Sequence, residues 1–122
     1  MITSQFRQLF QNLISNSLKF QKKETPPRII VKGEITTNPS IKPLVVADKY
    51  LALTVSDNGI GFPKDMSEKI FELFSRLYSK AEYEGTGLGL SISKRIVENH
   101  RGVITASSAD GKGATFTIVV PQ

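Results

Sequence analysis

The chain has no cysteine, no tryptophan and a single histidine among its 122 residues. Without cysteine it can form neither disulfides nor thiolate metal sites, which fits a cytoplasmic setting. No apolar run approaches the roughly 20 residues that a membrane-spanning helix needs, and the N-terminus lacks the charged and apolar segments of a signal peptide. The composition therefore predicts a cytoplasmic domain that does not itself contact a membrane, and it leaves open whether a parent protein is anchored elsewhere.

Length, apolar content and charge narrow the class of protein further. A chain of 122 residues with 39% hydrophobic residues suits one domain, residues 1–122, with a single core. The net charge is +5, but no dense arginine patch alternates with aromatic residues, so nucleic-acid binding is disfavoured. The tightest basic group comprises Lys19, Lys22, Lys23 and Arg28. A solvated basic face or attraction to a polyphosphate explains this group better.

Hydrophobic periodicity predicts an α+β fold. Apolar residues at three- and four-residue steps predict helices at 4–20, 67–77 and 88–99. Alternating and β-branched segments predict strands at 28–36, 50–56, 103–108 and 114–120. Gly102 is predicted to terminate the last helix. The order of elements suggests a two-layer α/β sandwich, in which about three helices cover one face of a mixed, mainly antiparallel sheet.

The segment from Glu84 to Ser91 contains three glycines in alternate positions at the start of a predicted helix. Glycine inside a regular element costs about 0.5–1 kcal/mol relative to alanine, so the glycines indicate that the backbone approaches a ligand closely. Free N–H groups at a helix N-terminus suit phosphate. The spacing matches neither a Walker A loop nor a dinucleotide fingerprint. We therefore hypothesise a nucleoside triphosphate site here, with a hinge between a mobile polar segment, 78–86, and the helix.

Two polar patterns elsewhere are candidates to complete such a site. Asn12, Asn16 and Lys19 fall at positions i, i+4 and i+7, which places them in one stripe along the first predicted helix. Asp57 ends a predicted strand and is followed by a glycine-rich turn, which suits recognition of a base with an exocyclic amine. Each pattern has a plain alternative, namely a solvated helix face and an ordinary Asx turn.

Five segments of the chain, taken in order, resemble the motifs of the catalytic and ATP-binding domain of bacterial two-component sensor histidine kinases, within the GHKL ATPase superfamily. NLISNSLKF at 12–20 is similar to the N box, DNGIGFP at 57–63 to the G1 box and IFELFSRL at 70–77 to the F box. EGTGLGLSI at 84–92 is similar to the G2 box, and GKGATF at 111–116 to the last glycine box. The resemblance covers nearly the whole chain.

This resemblance implies a site for ATP and Mg²⁺. Asp57 would accept a hydrogen from the adenine amino group, and Asn16 would ligate Mg²⁺, with Asn12 assisting. A neutral amide oxygen suits an ion that takes its charge compensation from phosphate oxygens. Lys19 would contact phosphate as a point charge. The further ATP contacts that the resemblance implies are Phe20, Gly59, Ile60, Gly61, Phe62, Arg76, Gly85, Thr86, Gly87, Leu88, Gly89, Leu90 and Thr115.

The resemblance also implies that the parent kinase transfers the γ-phosphoryl group of ATP to a histidine on a dimerisation domain, with a response regulator as indirect partner. The chain holds no such segment and His100 does not replace it, so the domain is not expected to autophosphorylate alone. Asn12 stands where hydrolysing members of the superfamily carry a glutamate base, which disfavours rapid hydrolysis. The alternatives are a nucleotide-binding regulatory module without phosphotransfer and a weak GHKL-type ATPase.

Overall fold

The computed structural model describes residues 3–19, 21–41, 43, 45–61, 71, 86–108 and 112–122. Its elements are α1 (Thr3–Lys19), β1 (Ile29–Thr36), β2 (Tyr50–Asp57), α2 (Thr86–Asn99), β3 (Val103–Ser108) and β4 (Ala114–Pro121). The four predicted strands and the first and last predicted helices are thus confirmed. Within these ranges no helix has the length and apolar character needed to cross a membrane.

The predicted helix at 67–77 lies outside the described residues except for Phe71. That residue is helical and buried, and its ring centroid lies 6.2 Å from that of Phe116 in an edge-to-face arrangement. Aromatic pairs favour this geometry, so Phe71 contributes to the core.

The described strands form one four-stranded antiparallel sheet in the order β1-β2-β4-β3. The central pair, β2 and β4, places Leu53 opposite Ile118 and Val55 opposite Phe116. β3 continues the first of these rows, because Ile104 also lies opposite Ile118. Directly opposite residues share a face of the sheet, so the register produces continuous apolar rows. The prediction of a mainly antiparallel sheet is confirmed.

Alternation along the strands gives the sheet one apolar face and one polar face. The apolar rows are buried, whereas the positions between them carry residues such as Thr54 and Thr117, which are opposite each other and half-buried. Antiparallel sheets with this alternation commonly pack one face on the core and leave the other to solvent. The two-layer architecture follows from this division.

The two described helices cover the apolar face. α1 buries Phe6, Leu9 and Leu13, which recur at three- and four-residue steps, and α2 buries Ile96 and Val97. Each such side chain contributes on the order of 1.5–3 kcal/mol when it leaves water. These residues join the rows of β2, β3 and β4 in a single core, which fixes α1 against the sheet.

The C-terminus of α2 has the hydrogen bonds of a Schellman motif. The N–H of Gly102 donates to the Val97 carbonyl and the N–H of Arg101 donates to the Glu98 carbonyl, both at 2.9 Å. The left-handed residue is Arg101, with φ 61°, and not the predicted Gly102. Glycine is required at 102 for another reason, since a Cβ there would lie 2.5 Å from the carbonyl oxygen of Val119.

The left-handed conformation of Arg101 predicts that Arg101→Gly stabilises the chain. A non-glycine residue in this region costs about 1–2 kcal/mol, which glycine relieves. The greater flexibility of glycine in the unfolded chain offsets part of this gain. We expect the free energy of unfolding to rise by about 0.5–1 kcal/mol in urea titrations. The matched control, Arg95→Gly at an exposed position inside α2, should lower it by about 1 kcal/mol. An equal loss of stability in both variants would contradict the assignment.

Candidate nucleotide-binding site

The Asp57 carboxylate, at the end of β2, is held by donors from three parts of the chain. Its Oδ1 accepts the N–H of Gly59 at 2.9 Å and the N–H of Ala114 at 3.2 Å. Its Oδ2 accepts a hydrogen bond from the hydroxyl of Ser17 in α1 at 2.9 Å. The bond from Gly59 forms an Asx turn, which is the alternative interpretation given above for this motif. An Asx turn does not account for the additional bonds from α1 and β4.

These bonds leave the carboxylate with limited capacity for a ligand. An ionised carboxylate offers about four acceptor positions, two on each oxygen. The described donors use both positions on Oδ1 and one on Oδ2. Asp57 can therefore accept about one more hydrogen bond, on Oδ2, and an amino group is a suitable donor.

The approach of β4 to Asp57 depends on Gly113. This residue has φ +79°, and a Cβ on it would overlap the carbonyl oxygen of Asp57 and lie 2.9 Å from the carbonyl carbon. The absence of a side chain lets the backbone just before β4 lie against the end of β2. The N–H of Ala114 reaches the carboxylate as a result.

The turn after Asp57 is also fixed from its other side. The Asn58 side chain accepts the N–H of Arg28 at 2.8 Å and donates to the carbonyl of Pro26 at 3.1 Å. Beyond it, Gly61 has φ 70°, a conformation that favours glycine, and Ile60 is 47% exposed. The turn after Asp57 thus carries an exposed apolar side chain, which suits contact with a planar base.

The two asparagines of α1 carry buried polar atoms that have no hydrogen-bond partner in the part of the chain that is described. These atoms are Oδ1 of Asn16, a residue only 7% exposed, and Nδ2 of Asn12. Leaving a buried polar atom unpaired costs about 1–3 kcal/mol. Burial argues against a fully solvated helix face, and it makes both atoms available to a ligand; Oε1 of Gln5, in the same helix, is buried without a partner as well.

The chemistry of these atoms fits Mg²⁺ and phosphate. The amide oxygen of Asn16 is a hard ligand of the kind that Mg²⁺ takes, whereas the amide nitrogen of Asn12 is a donor suited to a phosphate oxygen. The described residues contain no group of three histidine, cysteine or acidic side chains that could hold a metal together. Because the amide oxygen of Asn16 is neutral, an ion there would take charge compensation from phosphate oxygens.

The structure describes some of the other predicted contacts and not others. Four of them lie outside the described residues, namely Phe20, Phe62, Arg76 and Gly85. Lys19 is the last residue of α1, and the glycine-rich segment forms the start of α2, which begins at Thr86 and thus two residues before the predicted start. Its first N–H groups lack partners within the helix and remain candidates for phosphate.

Two further predicted contacts remain predictions, and the structure shows where their side chains lie. The side chain of Leu90 is buried in the core with 1% exposure. Thr115 lies on the polar face of the sheet, where its hydroxyl is 3.1 Å from that of Ser56. Because successive strand residues point to opposite faces, the residue beside Asp57 is Ala114, which contributes its backbone N–H.

Ser17 is a site residue that the sequence patterns did not identify. It is 2% exposed, in the apolar face of α1, and follows directly after Asn16. A small polar residue at a core position next to a candidate ligand is the signal that was available. Its bond to Asp57 ties the asparagines of α1 to the carboxylate at the end of β2.

Comparisons with known proteins identify the family of the chain. The family model described as histidine kinase-, DNA gyrase B-, and HSP90-like ATPase matches residues 2–122. Cyanobacterial phytochrome A of Nostoc sp. is 43% identical over 119 residues, which cover 98% of this chain. The chain spans 14% of the length of that relative.

Solved structures show the same fold. The mycobacterial sensor histidine kinase MprB has a TM-score of 0.70 at 26% identity, over 99% of this chain and 72% of that chain. Full-length ShkA, solved in complex with AMPPNP, has a TM-score of 0.68 at 25% identity, over 96% of this chain and 21% of that chain. Together with the family match over nearly its whole length, these similarities show that the chain belongs to the histidine kinase-, DNA gyrase B- and HSP90-like ATPases, as an ATP-binding domain of the histidine kinase type.

Proposed function

We propose that this domain binds Mg²⁺-ATP and, in its parent protein, presents the γ-phosphoryl group to a histidine on a separate dimerisation domain. The observation that carries the proposal is the Asp57 carboxylate, fixed by three donors with about one acceptor position left. The complex of the related ShkA with AMPPNP supports the assignment of the nucleotide. The response regulator and the cytoplasmic setting belong to the same proposal.

Recognition of the base starts at Asp57. The amino group of adenine donates to Oδ2, and a base that carries a carbonyl oxygen in place of that amino group has no hydrogen to donate there. Gly61 allows the backbone to approach the ring, and the open side chain of Ile60 packs against it. Selectivity for adenine thus follows from the donor pattern of the base.

The phosphates lie towards α1 and the start of α2. Asn16 supplies an amide oxygen to Mg²⁺, and Nδ2 of Asn12 donates to a phosphate oxygen. Lys19 adds a positive charge, and the first N–H groups of α2 add donors with a favourable helix dipole. Mg²⁺, when bound, neutralises negative charge on the phosphate oxygens.

The transfer step needs a nucleophile from outside the domain. A nitrogen of a neutral imidazole attacks the γ-phosphorus with its own lone pair, and the bond to the β–γ bridging oxygen breaks to release ADP. The other ring nitrogen then gives up its proton to water. The domain contributes position and charge neutralisation rather than proton transfer. Water would need a general base for the same attack, and the amide of Asn12 cannot serve as one. This favours phosphotransfer over hydrolysis.

The role of Asn16 predicts that Asn16→Ala abolishes the Mg²⁺-dependent part of ATP binding. We expect the wild-type chain to bind ATP at least about tenfold more tightly with Mg²⁺ than with EDTA, and the variant to show no such difference. Calorimetric titrations under both conditions measure it. Gln8→Ala, at an exposed amide of the same helix, is the control and should behave as wild type. Retention of the full Mg²⁺ effect by Asn16→Ala would exclude this residue as the ligand.

A second experiment separates the kinase from its alternatives. Mixed with the histidine-bearing dimerisation domain of its parent protein and γ-labelled ATP, the chain should place label on that domain as an acid-labile phosphoramidate. The chain alone should release phosphate no faster than the buffer blank, because no general base is present at Asn12. ATP binding without any transfer would instead identify a regulatory module, and steady phosphate release would identify an ATPase.

A further inference from the structure

We propose that Ser17 is a positioning residue for base recognition, acting through Asp57. Its hydroxyl holds the carboxylate so that the remaining acceptor position on Oδ2 faces the amino group of adenine. This inference rests on the proposed function, because it concerns the same nucleotide. It assigns to α1 a part in reading the base, in addition to its part in holding Mg²⁺ and phosphate.

The hydroxyl of Ser17 has one hydrogen and two acceptors within reach. Its Oγ lies 2.9 Å from Oδ2 of Asp57 and 3.1 Å from the carbonyl oxygen of Leu13. In an α-helix the carbonyl of residue 13 already accepts the N–H of residue 17, so it does not depend on the hydroxyl. A carboxylate is the stronger acceptor, and the shorter contact leads to it. The hydrogen therefore belongs to the bond with Asp57.

The bond from Ser17 acts on the oxygen that would read the base. The N–H groups of Gly59 and Ala114 hold Oδ1, and Ser17 is the donor to Oδ2 among the described residues. Without the hydroxyl, Oδ2 has two acceptor positions that no described residue fills, and only the bonds to Oδ1 still orient the carboxylate. Water can then occupy either position, and an incoming amino group must displace it.

The surroundings of Ser17 make the hydroxyl replaceable without loss of the fold. The residue is 2% exposed inside α1, and alanine is the better helix former. Removing the hydroxyl leaves only a small space. The backbone bonds to Oδ1 remain in place and still hold the turn after β2.

The test compares two triphosphates on the Ser17→Ala variant of the full chain. ATP carries the six-amino group, and purine riboside triphosphate lacks it but keeps the ring, ribose and phosphates. We expect the affinity for ATP to fall roughly 3- to 10-fold, the range of one hydrogen bond, with little change for the second nucleotide. The preference for ATP therefore shrinks by the same factor. Ser15→Ala, at an exposed position of α1, is the matched control and should keep the wild-type preference.

A graded variant guards against a purely structural effect. Ser17→Cys keeps the side-chain size but donates only weakly, so its preference for ATP should lie between wild type and Ser17→Ala. An equal loss for both nucleotides, or no loss for either, overturns the role of Ser17 while ATP binding by the wild-type chain stands. Failure of the wild-type chain to bind ATP at all overturns the proposed function together with this inference.

Discussion

The set of hydrogen bonds on the Asp57 carboxylate is the constraint on which the candidate site depends. Donors from α1, the turn after β2 and the first residue of β4 meet at this side chain. These segments are far apart in the chain, since 40 residues separate Ser17 from Asp57 and 57 separate Ala114 from it. A partly buried carboxylate needs such donors to offset its lost hydration. The same bonds fix the position of the acceptor that a base would meet.

Different side chains of α1 contribute to the core and to the candidate site. Leu9 and Leu13 anchor the helix to the sheet, while Asn12 and Asn16 carry buried atoms that have no hydrogen-bond partner among the described residues. The apolar anchoring is what keeps these unpaired atoms in place against their desolvation penalty. Such unpaired atoms lower the stability of the free domain but are available to bind a ligand, which is typical of ligand sites built on rigid elements.

Sequence periodicity predicted the elements well because each long segment has one strong pattern. The steps of three and four residues in α1 and the alternation over residues 114–118 of β4 reflect burial on one side, whereas Ile118, Val119 and Val120 are buried in succession. A local pattern is less informative where a single residue decides the answer. Thr115 and Ala114 differ by one position, and one step along a strand changes the face of the sheet. Ser17 could not be found from local pattern, because its partner is set by tertiary packing.

Arg101 and Gly102 show a related limit of local rules. Both positions follow the last turn of α2, and helix-ending statistics favour glycine as the left-handed residue. Gly102 packs so closely against Val119 that a side chain would not fit there, and the residue with the left-handed conformation is Arg101. Near Asp57 the two roles fall on one residue, since Gly113 has both a close backbone neighbour and a positive φ. Tertiary contact therefore decides which glycine serves which purpose.

The proposed chemistry follows from what the site fixes and from what it leaves to a partner. Asp57, Asn16 and Asn12 provide an acceptor, a metal ligand and a donor, all held by elements that pack on one core. None of these three groups activates a nucleophile in the proposed arrangement: the carboxylate is committed to the base, and amides do not accept protons at neutral pH. In the proposed function such a site binds and orients ATP, and the reaction would need an imidazole from another domain. The proposed separation of nucleotide from acceptor would make the transfer depend on how the two domains meet, and a signal that changes this arrangement would control the transfer.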